Sequence, residues 1–406
     1  MARYAPLAPV MSVIKKSPAP QELFTYSPGI CVLESGRIIA TLDTLDRRTN
    51  EKKGYIYLSD DGGLHWRFVA NFPFYHARPF AAGNLVYILG HHGKMMIIRS
   101  GDDGETWSQP SVLAEGRWHQ APCNVLHAKG NVYLVMERVT AEIPAWPVSV
   151  LAPVLMRARE GDDLCCRENW TFASELICRE TVKLENCHYF GMPFYPVKVD
   201  AVTHLAPCRS FAAPGWLESN VVQYADPSHF WYDPSGCTFH LWMRAHTGCT
   251  NIAAMIKVVE NGDGTMTTML ENAPSGQPIV YFPFPGGHMK FHILFDDVTK
   301  LYWLVSTQST DSAVRPECMP PERYELSDNE RQRLALHFSR NCLDWCFAGL
   351  VDAGETTVES RHYASMAIHG EDLIILSRSG DKNAKDPHNT NMITAHKVKN
   401  FRELVY

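Results

Sequence analysis

The chain has 406 residues, of which 45% are hydrophobic and 20% are charged, so it can bury a large core. Its formal net charge of −6, with acidic and basic residues interspersed, provides no basic patch for binding nucleic acid, and no apolar run approaches the length of a membrane span. The twelve cysteines are scattered, apart from Cys165 and Cys166, and they form neither a C-x-x-C pair nor a zinc pattern. Most are therefore expected to be reduced.

The N-terminus lacks a charged stretch followed by an apolar core and a cleavage site, because Lys15, Lys16 and two prolines interrupt it. As written, the chain is expected to be cytoplasmic. If a signal peptide was removed before this numbering, it would be secreted or periplasmic.

Short apolar runs punctuated by Gly, Asp and Pro predict β-strands along most of the chain. Residues 26–43 predict a hairpin with strands at 30–33 and 38–42. Further strands are predicted, in chain order, at 55–58, 66–69, 85–89, 95–98, 124–127, 132–137, 220–224, 239–244, 252–259, 290–295, 301–306, 333–339, 373–378 and 392–398. We expect the last of these to pair with the N-terminal strand, which would close a ring and remove exposed sheet edges.

Two stretches share the pattern Ser-x-Asp-x-Gly-x-x-Trp, one running from Ser59 to Trp66 and the other from Ser100 to Trp107. Each follows an apolar run, so we predict a strand entering a tight turn in which Asp accepts backbone N–H bonds and Trp covers the turn. A degenerate copy runs from Ser339 to Trp345. Ser59 and Ser100 are 41 residues apart, a period typical of one propeller blade.

These stretches resemble the Asp box of the sialidase (neuraminidase) superfamily, which closes the hairpin between the outer two strands of a β-propeller blade. The resemblance implies an all-β fold, a six-bladed propeller of four-stranded antiparallel blades closed by the N- and C-terminal strands. We interpret residues 1–406 as a single propeller domain, with a loop-rich, decorated region at about 141–215. The polar stretch 320–331 predicts a short helix or an exposed insertion.

The resemblance also points to active-site residues. In sialidases a Glu opens a strand that ends, after a hairpin, in an Arg of the substrate-binding triad, and Glu218 and Arg244 are in a similar arrangement. Arg333 begins a strand leading into the degenerate copy, as another triad Arg does. Thirty residues later, His362 and Tyr363 lie in a segment similar to the one that carries the nucleophilic Tyr of the family.

The chemistry of that set is coherent. A Tyr with a pKa near 10 is a poor nucleophile at neutral pH, so an adjacent carboxylate is needed to take its proton. Arginines bind the substrate carboxylate in bidentate fashion. Two departures stand out: residues 25–28 lack the first triad Arg, and the acid/base Asp expected after the first hairpin has only Asp46 and the nearby Asp43 as candidates.

Other polar residues are candidates for catalysis or substrate binding. His119, next to Gln120, is an alternative acid or base, or a histidine bonded to a loop backbone. Strand alternation puts His288, Lys290 and His292 on one face, which suits an anionic sugar or a solvated strand surface. The remaining candidates for contacts with the sugar, besides Gln120 and His362, are His388 and Asn391. The alternative role of their Asn-rich loop is to form a turn.

We therefore predict a glycoside hydrolase, an exo-acting sialidase-like enzyme that releases a terminal sialic acid or a related acidic sugar, with Tyr363, Glu218, His119 and Asp46 as catalytic residues. Segments 118–122, 217–220, 388–391 and 400–402 are also similar to a group of sialidase-like bacterial propellers. One alternative is a lyase acting on uronate polymers, with His119 and either Tyr189 or Tyr363 transferring protons. Another is a glycan-binding propeller without catalysis. The expected partner is a carbohydrate, and no metal or cofactor is required.

Overall fold

The structure, a computed structural model, describes residues 4–144, 146–182, 203–206, 209–211, 214–246, 251–311, 314, 318 and 330–406. The described strands form a propeller of six blades, each built on an antiparallel sheet of four strands. The predicted fold class is therefore confirmed. Strands that follow one another in the chain are neighbours in most of the blades, and the innermost strands face the common axis.

The bounds of the blades follow the chain. The first contains Leu23–Val32, Ile38–Asp46, Glu51–Ser59 and Arg67–Phe72, and the second contains Tyr75–Ala82, Leu85–His92, Lys94–Ser100 and Ser111–Ala114. The third contains Trp118–His119 and Leu126–Ala128 on one edge, then Asn131–Val139, Leu151–Arg159 and Trp170–Phe172. The fourth contains Gly215–Val222, Thr238–His246, Ile252–Glu260 and Met266–Met269, with Tyr281–Pro283 on the same sheet. The fifth contains His292–Asp296, Leu301–Thr307, Arg333–Ser339 and Cys346–Ala353, and the sixth contains Arg361–His369, Asp372–Ser379, Met392–Val398 and Met11–Lys16.

Short elements lie between the blades. Two small hairpins pair Thr203–Ala206 with Arg209–Phe211, and Glu271–Asn272 with Pro278–Ile279. The described helices are single turns, at Pro147–Val150, Arg167–Asn169, Cys178–Thr181 and Phe401–Leu404. None of the described helices is long and apolar enough to cross a membrane.

The ring closes as the sequence predicts. Strand Met11–Lys16 is antiparallel to Met392–Val398, with Met11 opposite His396 and Lys16 opposite Met392. The sixth blade is thus completed by the N-terminal part of the chain, which supplies its outermost strand.

The two Ser-x-Asp-x-Gly-x-x-Trp turns connect the outer two strands of the first and second blades. In the first turn, Asp61 Oδ1 accepts the N–H groups of Leu64 and His65 at 3.0 Å, and Trp66 Nε1 donates to Gly63 O at 3.1 Å. The second turn repeats this pattern around Asp102. Side-chain acceptance of backbone donors explains why Asp is needed at this position.

The core lies between adjacent blades rather than at the axis. One cluster, for example, packs Ile39 and Ile56 of the first blade against Phe74 and Ile88 of the second. The region 141–215 contributes two strands of the third blade, Leu151–Arg159 and Trp170–Phe172, which its sequence pattern did not predict. Tyr189 and most of 320–331 lie outside the described residues.

Candidate active site

The site lies at the end of the propeller axis where the innermost strands begin and the second strands of the blades end. Asp43 and His91 lie near the C-terminal ends of second strands. Glu218 and Tyr363 lie near the N-terminal ends of innermost strands. Because antiparallel neighbours bring these ends together, the side chains line a common cavity of about 760 Å³.

Four of the described innermost strands have a bulge near this end. Each bulge holds a residue other than glycine in the left-handed backbone region, which is uncommon. These residues are Ser27, His76, Glu218 and Tyr363, with φ of 44°, 53°, 60° and 50°. All four line the cavity, so the bulges direct these side chains toward one centre. Backbone strain of this kind clusters at functional sites.

Tyr363 lies among three buried arginines of the described chain. Arg244 Nη1 donates to Tyr363 Oη at 2.9 Å and lies 3.5 Å from Glu218 Oε2. The guanidinium carbons of Arg378 and Arg331 lie 5.3 Å and 5.8 Å from the centre of the Tyr363 ring. Such a cluster suits a carboxylate, because guanidinium groups bind its two oxygens together and the attraction is stronger where water is excluded.

Hydrogen bonds to neighbouring groups hold two of these arginines in position. Arg244 Nε donates to His288 O at 2.7 Å. Arg331 Nη1 donates to His362 Nδ1 at 3.0 Å. Burial and the nearby arginines hold the pKa of His362 well below 6.5, so its ring is neutral and can accept that bond.

Arg378 enters from the sixth blade beside residues 25–28, the segment that lacks the first triad Arg expected from the resemblance. Its guanidinium carbon lies 3.8 Å from the centre of the Tyr26 ring, and its Nη2 donates to His388 O. The resemblance predicts a triad Arg on the innermost strand of the first blade. Arg378, which belongs to the sixth blade, places its guanidinium next to that strand. Burial lowers the pKa of Arg378 to about 10, so it remains charged at neutral pH.

The Tyr363 hydroxyl is protonated at neutral pH. Burial raises its pKa to about 12, and the Glu218 carboxylate acts in the same direction, while the three arginines act against it. A nucleophilic role for Tyr363 therefore requires a base at the moment of attack. Glu218 is positioned for that task, since it shares Arg244 Nη1 with the tyrosine.

A second polar group in the cavity comprises Asp43 and three histidines. Asp43 Oδ1 accepts the backbone N–H of His76 at 3.0 Å, and its Oδ2 lies 3.9 Å from His76 Nε2. His76 Nδ1 lies 3.3 Å from His91 Nε2, within hydrogen-bonding distance. His119 Nδ1 lies 2.9 Å from Glu137 Oε2, which orients the ring toward the cavity.

Burial raises the pKa of Asp43 to about 7. Burial, together with the other histidines, holds the pKa of His76 and His91 well below 6.5, so both rings are neutral. An acid with a pKa near 7 can both donate and accept a proton at neutral pH, as general acid–base catalysis requires. Within the described part of the chain, no group of three or more His, Cys, Asp or Glu side chains is arranged to hold a metal ion.

The structure brings half of the twelve predicted site residues into the cavity. They are Tyr363, Glu218, Arg244, His119, Gln120 and His388. The Gln120 amide is committed to the backbone, since its Nε2 donates to His76 O and Leu89 O at 2.7 Å. Gln120 therefore holds the first and second strands of the second blade in place.

Two predicted residues lie outside the cavity lining and pair with other charged groups. Asp46 accepts hydrogen bonds from Arg48, which lower its pKa to about 2, so it is ionised at neutral pH. Arg333 Nη1 pairs with Glu330 Oε1 at 2.8 Å. Their assigned roles stay predictions, while the nearby Asp43 and Arg331 line the cavity.

The other four predicted residues outside the lining are buried and support the site. They are Lys290, His292, His362 and Asn391. Asn391 Nδ2 donates to Asp381 Oδ1 at 2.8 Å, which fixes the loop that leads to His388. Lys290 donates to Ala364 O, next to Tyr363.

Sequence reasoning missed several residues of the cavity. They are His76, His91, Arg331 and Arg378. Arg331 is two residues away from the predicted Arg333, and Asp43, which the sequence offered beside Asp46, is three residues away from it. Arg378 ends a correctly predicted strand, and a charged residue at that end was the available signal.

No protein-family model matches the chain, and no curated protein matches it in sequence. Solved structures do match. The Hadza microbial sialidase Hz136 aligns with a TM-score of 0.56 at 13% identity, over 96% of this chain and 68% of that one. The Trypanosoma rangeli sialidase in complex with 2,3-difluorosialic acid, as a covalent intermediate, aligns with a TM-score of 0.56 at 13% identity, over 100% of this chain and 60% of that one.

A third match is the GH93 α-L-arabinofuranosidase of Fusarium graminearum in complex with arabinobiose. Its TM-score is 0.50 at 10% identity, over 96% of this chain and 97% of that one. At such low identities the likeness establishes the architecture and leaves the substrate open. The chain thus has the six-bladed propeller fold that these sialidases and this arabinofuranosidase share.

Proposed function

We propose that this protein is a glycoside hydrolase that releases a terminal sialic acid, or a closely related carboxylated sugar, with retention of configuration. One observation carries the proposal: three arginines surround Tyr363 in the cavity, Arg244 bonded to its hydroxyl and Arg331 and Arg378 next to its ring. A neutral sugar offers nothing that needs three cations, whereas a sugar carboxylate matches them in charge and geometry. The matches to glycosidases of the same fold support the hydrolase class.

In the first half-reaction, Tyr363 Oη attacks the anomeric carbon while Glu218 takes the phenolic proton. The bond from the anomeric carbon to the leaving oxygen breaks, and protonated Asp43 gives its proton to that oxygen. The products are a tyrosyl–glycosyl bond and the released alcohol. A phenol as nucleophile brings no second negative charge against the sugar carboxylate.

In the second half-reaction, ionised Asp43 takes a proton from water, whose oxygen attacks the anomeric carbon. The tyrosyl bond breaks, and Glu218 returns the proton to the departing phenolate. Two displacements at one carbon give net retention. In this scheme Asp43 alternates between acid and base, for which a pKa near 7 is well suited.

In this scheme His119 lies near the reacting atoms but does not transfer a proton to them. Its Nδ1 is held by Glu137, so its Nε2 is the atom available to a sugar hydroxyl. The role of proton donor that the sequence suggested for it passes to Asp43, because Asp43 combines burial with a raised pKa.

The test is a proton NMR time course with sialyllactose, read together with mass spectrometry of enzyme treated with a 2,3-difluorinated sialic acid. We expect α-sialic acid as the first product and a covalent adduct on the peptide that contains Tyr363. Tyr363→Phe should lose both by several orders of magnitude in rate, whereas Tyr55→Phe, in the first blade and outside the cavity lining, should retain them.

Other outcomes separate the rival functions. Release of the β-anomer first would move catalysis to an activated water. Release of arabinose from arabinan, with sialyllactose untouched, would replace the substrate. An unsaturated product that absorbs in the ultraviolet would indicate a lyase, and sugar binding without turnover of any of these substrates would indicate a glycan-binding protein.

A further inference from the structure

A cluster of buried polar side chains, two of them cations, takes no part in the proposed reaction. It consists of Arg78 from the second blade and Lys290 and His292 from the fifth, with Cys123 from the third beside them. Their exposed fractions are 2%, 1%, 5% and 3%. Since Lys290 and His292 are two residues apart in an extended segment, they share a face.

Hydrogen bonds to one short segment bring the cluster together. Arg78 Nη2 donates to Ala121 O at 3.4 Å. Lys290 Nζ donates to Ser365 Oγ at 2.9 Å, and that hydroxyl oxygen lies 2.8 Å from Pro122 O. Cys123 Sγ, the next residue along, lies 3.9 Å from Phe291 O, between Lys290 and His292. Both cations are thus anchored to consecutive residues of the 121–123 segment.

Several nitrogens of the cluster have no partner among the described residues. Arg78 Nε and Nη1 are buried and make no hydrogen bond there, and neither does His292 Nδ1. The bonds that Arg78 Nη2 and Lys290 Nζ do make go to uncharged oxygens, at Ala121, Val135, Ala364 and Ser365.

No described carboxylate is hydrogen-bonded to Arg78 or Lys290. The carboxylates that act electrostatically on these cations are Glu137, on Arg78, and Glu218, on Lys290. Both carboxylates are paired with other residues. Glu137 bonds His119 and the backbone N–H of Ser219, while Glu218 lies against Arg244. Burial raises the pKa of the Cys123 thiol to about 12, so it supplies no thiolate.

Two buried cations that have no hydrogen-bonded carboxylate among the described residues are costly. The unpartnered nitrogens of Arg78, Nε and Nη1, are both N–H donors, which suits a ligand that only accepts hydrogen bonds. We propose that a small monovalent anion, a halide such as chloride, binds between Arg78 Nε and Nη1 and Lys290 Nζ.

This anion would stabilise the floor of the cavity. Lys290 is bonded to Ala364 O, directly after Tyr363, and Cys123 Sγ donates to Glu218 O at 3.2 Å. Tyr363 and Glu218 both occupy left-handed backbone positions, which have to be held by their surroundings. A bound anion would hold both residues in these backbone conformations. This would be so whether or not the protein hydrolyses a sialoside.

The direct test is X-ray diffraction from crystals of the protein grown in sodium bromide, with data collected at the bromine absorption edge. We expect an anomalous peak within hydrogen-bonding distance of Arg78 Nε or Nη1. No peak at this cluster, or a peak that appears only at molar bromide, would overturn the proposal, whatever the solution measurements give.

The solution test is thermal unfolding at increasing chloride and constant ionic strength, with gluconate as the balancing anion. We expect the melting temperature to rise with the logarithm of chloride concentration, because a ligand of the folded state stabilises it by mass action. Arg78→Met should remove this dependence, while Arg99→Met, which breaks the surface pair with Asp163, should keep it. An Arg78→Met protein that retains the chloride dependence would contradict the assignment, and the bromide experiment decides the matter if that variant does not fold.

Discussion

Asp43 is the residue whose ionisation should limit the rate above neutral pH. Its carboxyl is buried and its pKa is raised to about 7, so the protonated form that the leaving oxygen needs is present below pH 7 and is lost as the pH rises through that value. We expect kcat/KM for sialyllactose to fall tenfold per pH unit above about 7, because this ratio reports the free enzyme. A pH–rate profile of the unmodified protein measures this.

Substitution separates this role from a merely structural one. Asp43→Asn should lower kcat/KM for sialyllactose about 10²–10⁴-fold and remove the alkaline limb. It should cost far less for a nitrophenyl sialoside, whose leaving group needs no proton. Asp46→Asn is the matched control, because that carboxylate is ionised and paired with Arg48. An equal loss for both substrates would show that Asp43 does not act as the acid.

The sequence identified residues of this site where a local pattern surrounded them. Glu218 and Arg244 were found because the hairpin that joins them resembles one in sialidases, and Tyr363 because of its distance from Arg333. His76 could not be found in this way, and Asp43 could not be distinguished from Asp46. Burial and a partner 33 residues away in the chain give Asp43 its raised pKa and its geometry, and neither is encoded in the residues next to it.

At the scale of the strand, alternation and turn chemistry predicted most elements, but they missed the bulged starts of four innermost strands. Arg333–Ser339 and Met392–Val398 begin and end as predicted, since both are regular and buried. The innermost strands carry a bulge near residues 27, 76, 218 and 363. A bulge shifts the alternation by one residue, so the face assigned to later side chains changes without any mark in the composition.

The strain at these bulges makes a measurable prediction at Ser27, whose φ is 44°. Ser27→Val should destabilise the protein by about 2 kcal/mol or more, since a β-branched residue is poorly accommodated in the left-handed region. Ser27→Gly should be close to neutral, because relief of strain offsets the added freedom of the unfolded chain. Denaturant unfolding measures both.

Ser149→Val is the control for the Ser27 pair. Ser149 is buried like Ser27, but its φ is not positive. Its hydroxyl makes no hydrogen bond among the described residues. If Ser27→Val and Ser27→Gly changed stability equally, the left-handed conformation would carry no cost at this site.

At the scale of the whole molecule, the sequence showed the blade repeat, but it did not show which residues from different blades meet in one site. Two turns 41 residues apart predicted a propeller, because one blade is about that long. The cavity, however, takes Asp43 from the first blade, His76 from the second, Glu218 from the fourth and Tyr363 from the sixth. Only closure of the ring brings these residues together, so the site depends on the edge where the ring is joined.

The last prediction concerns the pairing of the N-terminal and C-terminal strands that closes the ring. Removing residues 1–16 deletes the strand Met11–Lys16 and leaves Met392–Val398 as an unpaired edge beside the first blade. We expect a large fall in melting temperature, aggregation through the exposed edge, and loss of any activity, because Tyr363 and Arg378 lie on the same sheet. Removing residues 1–3 alone is the control and should change none of these. A truncated protein that melted like the full chain would mean that the sixth blade is stable with three strands and that closure is not what holds the cavity together.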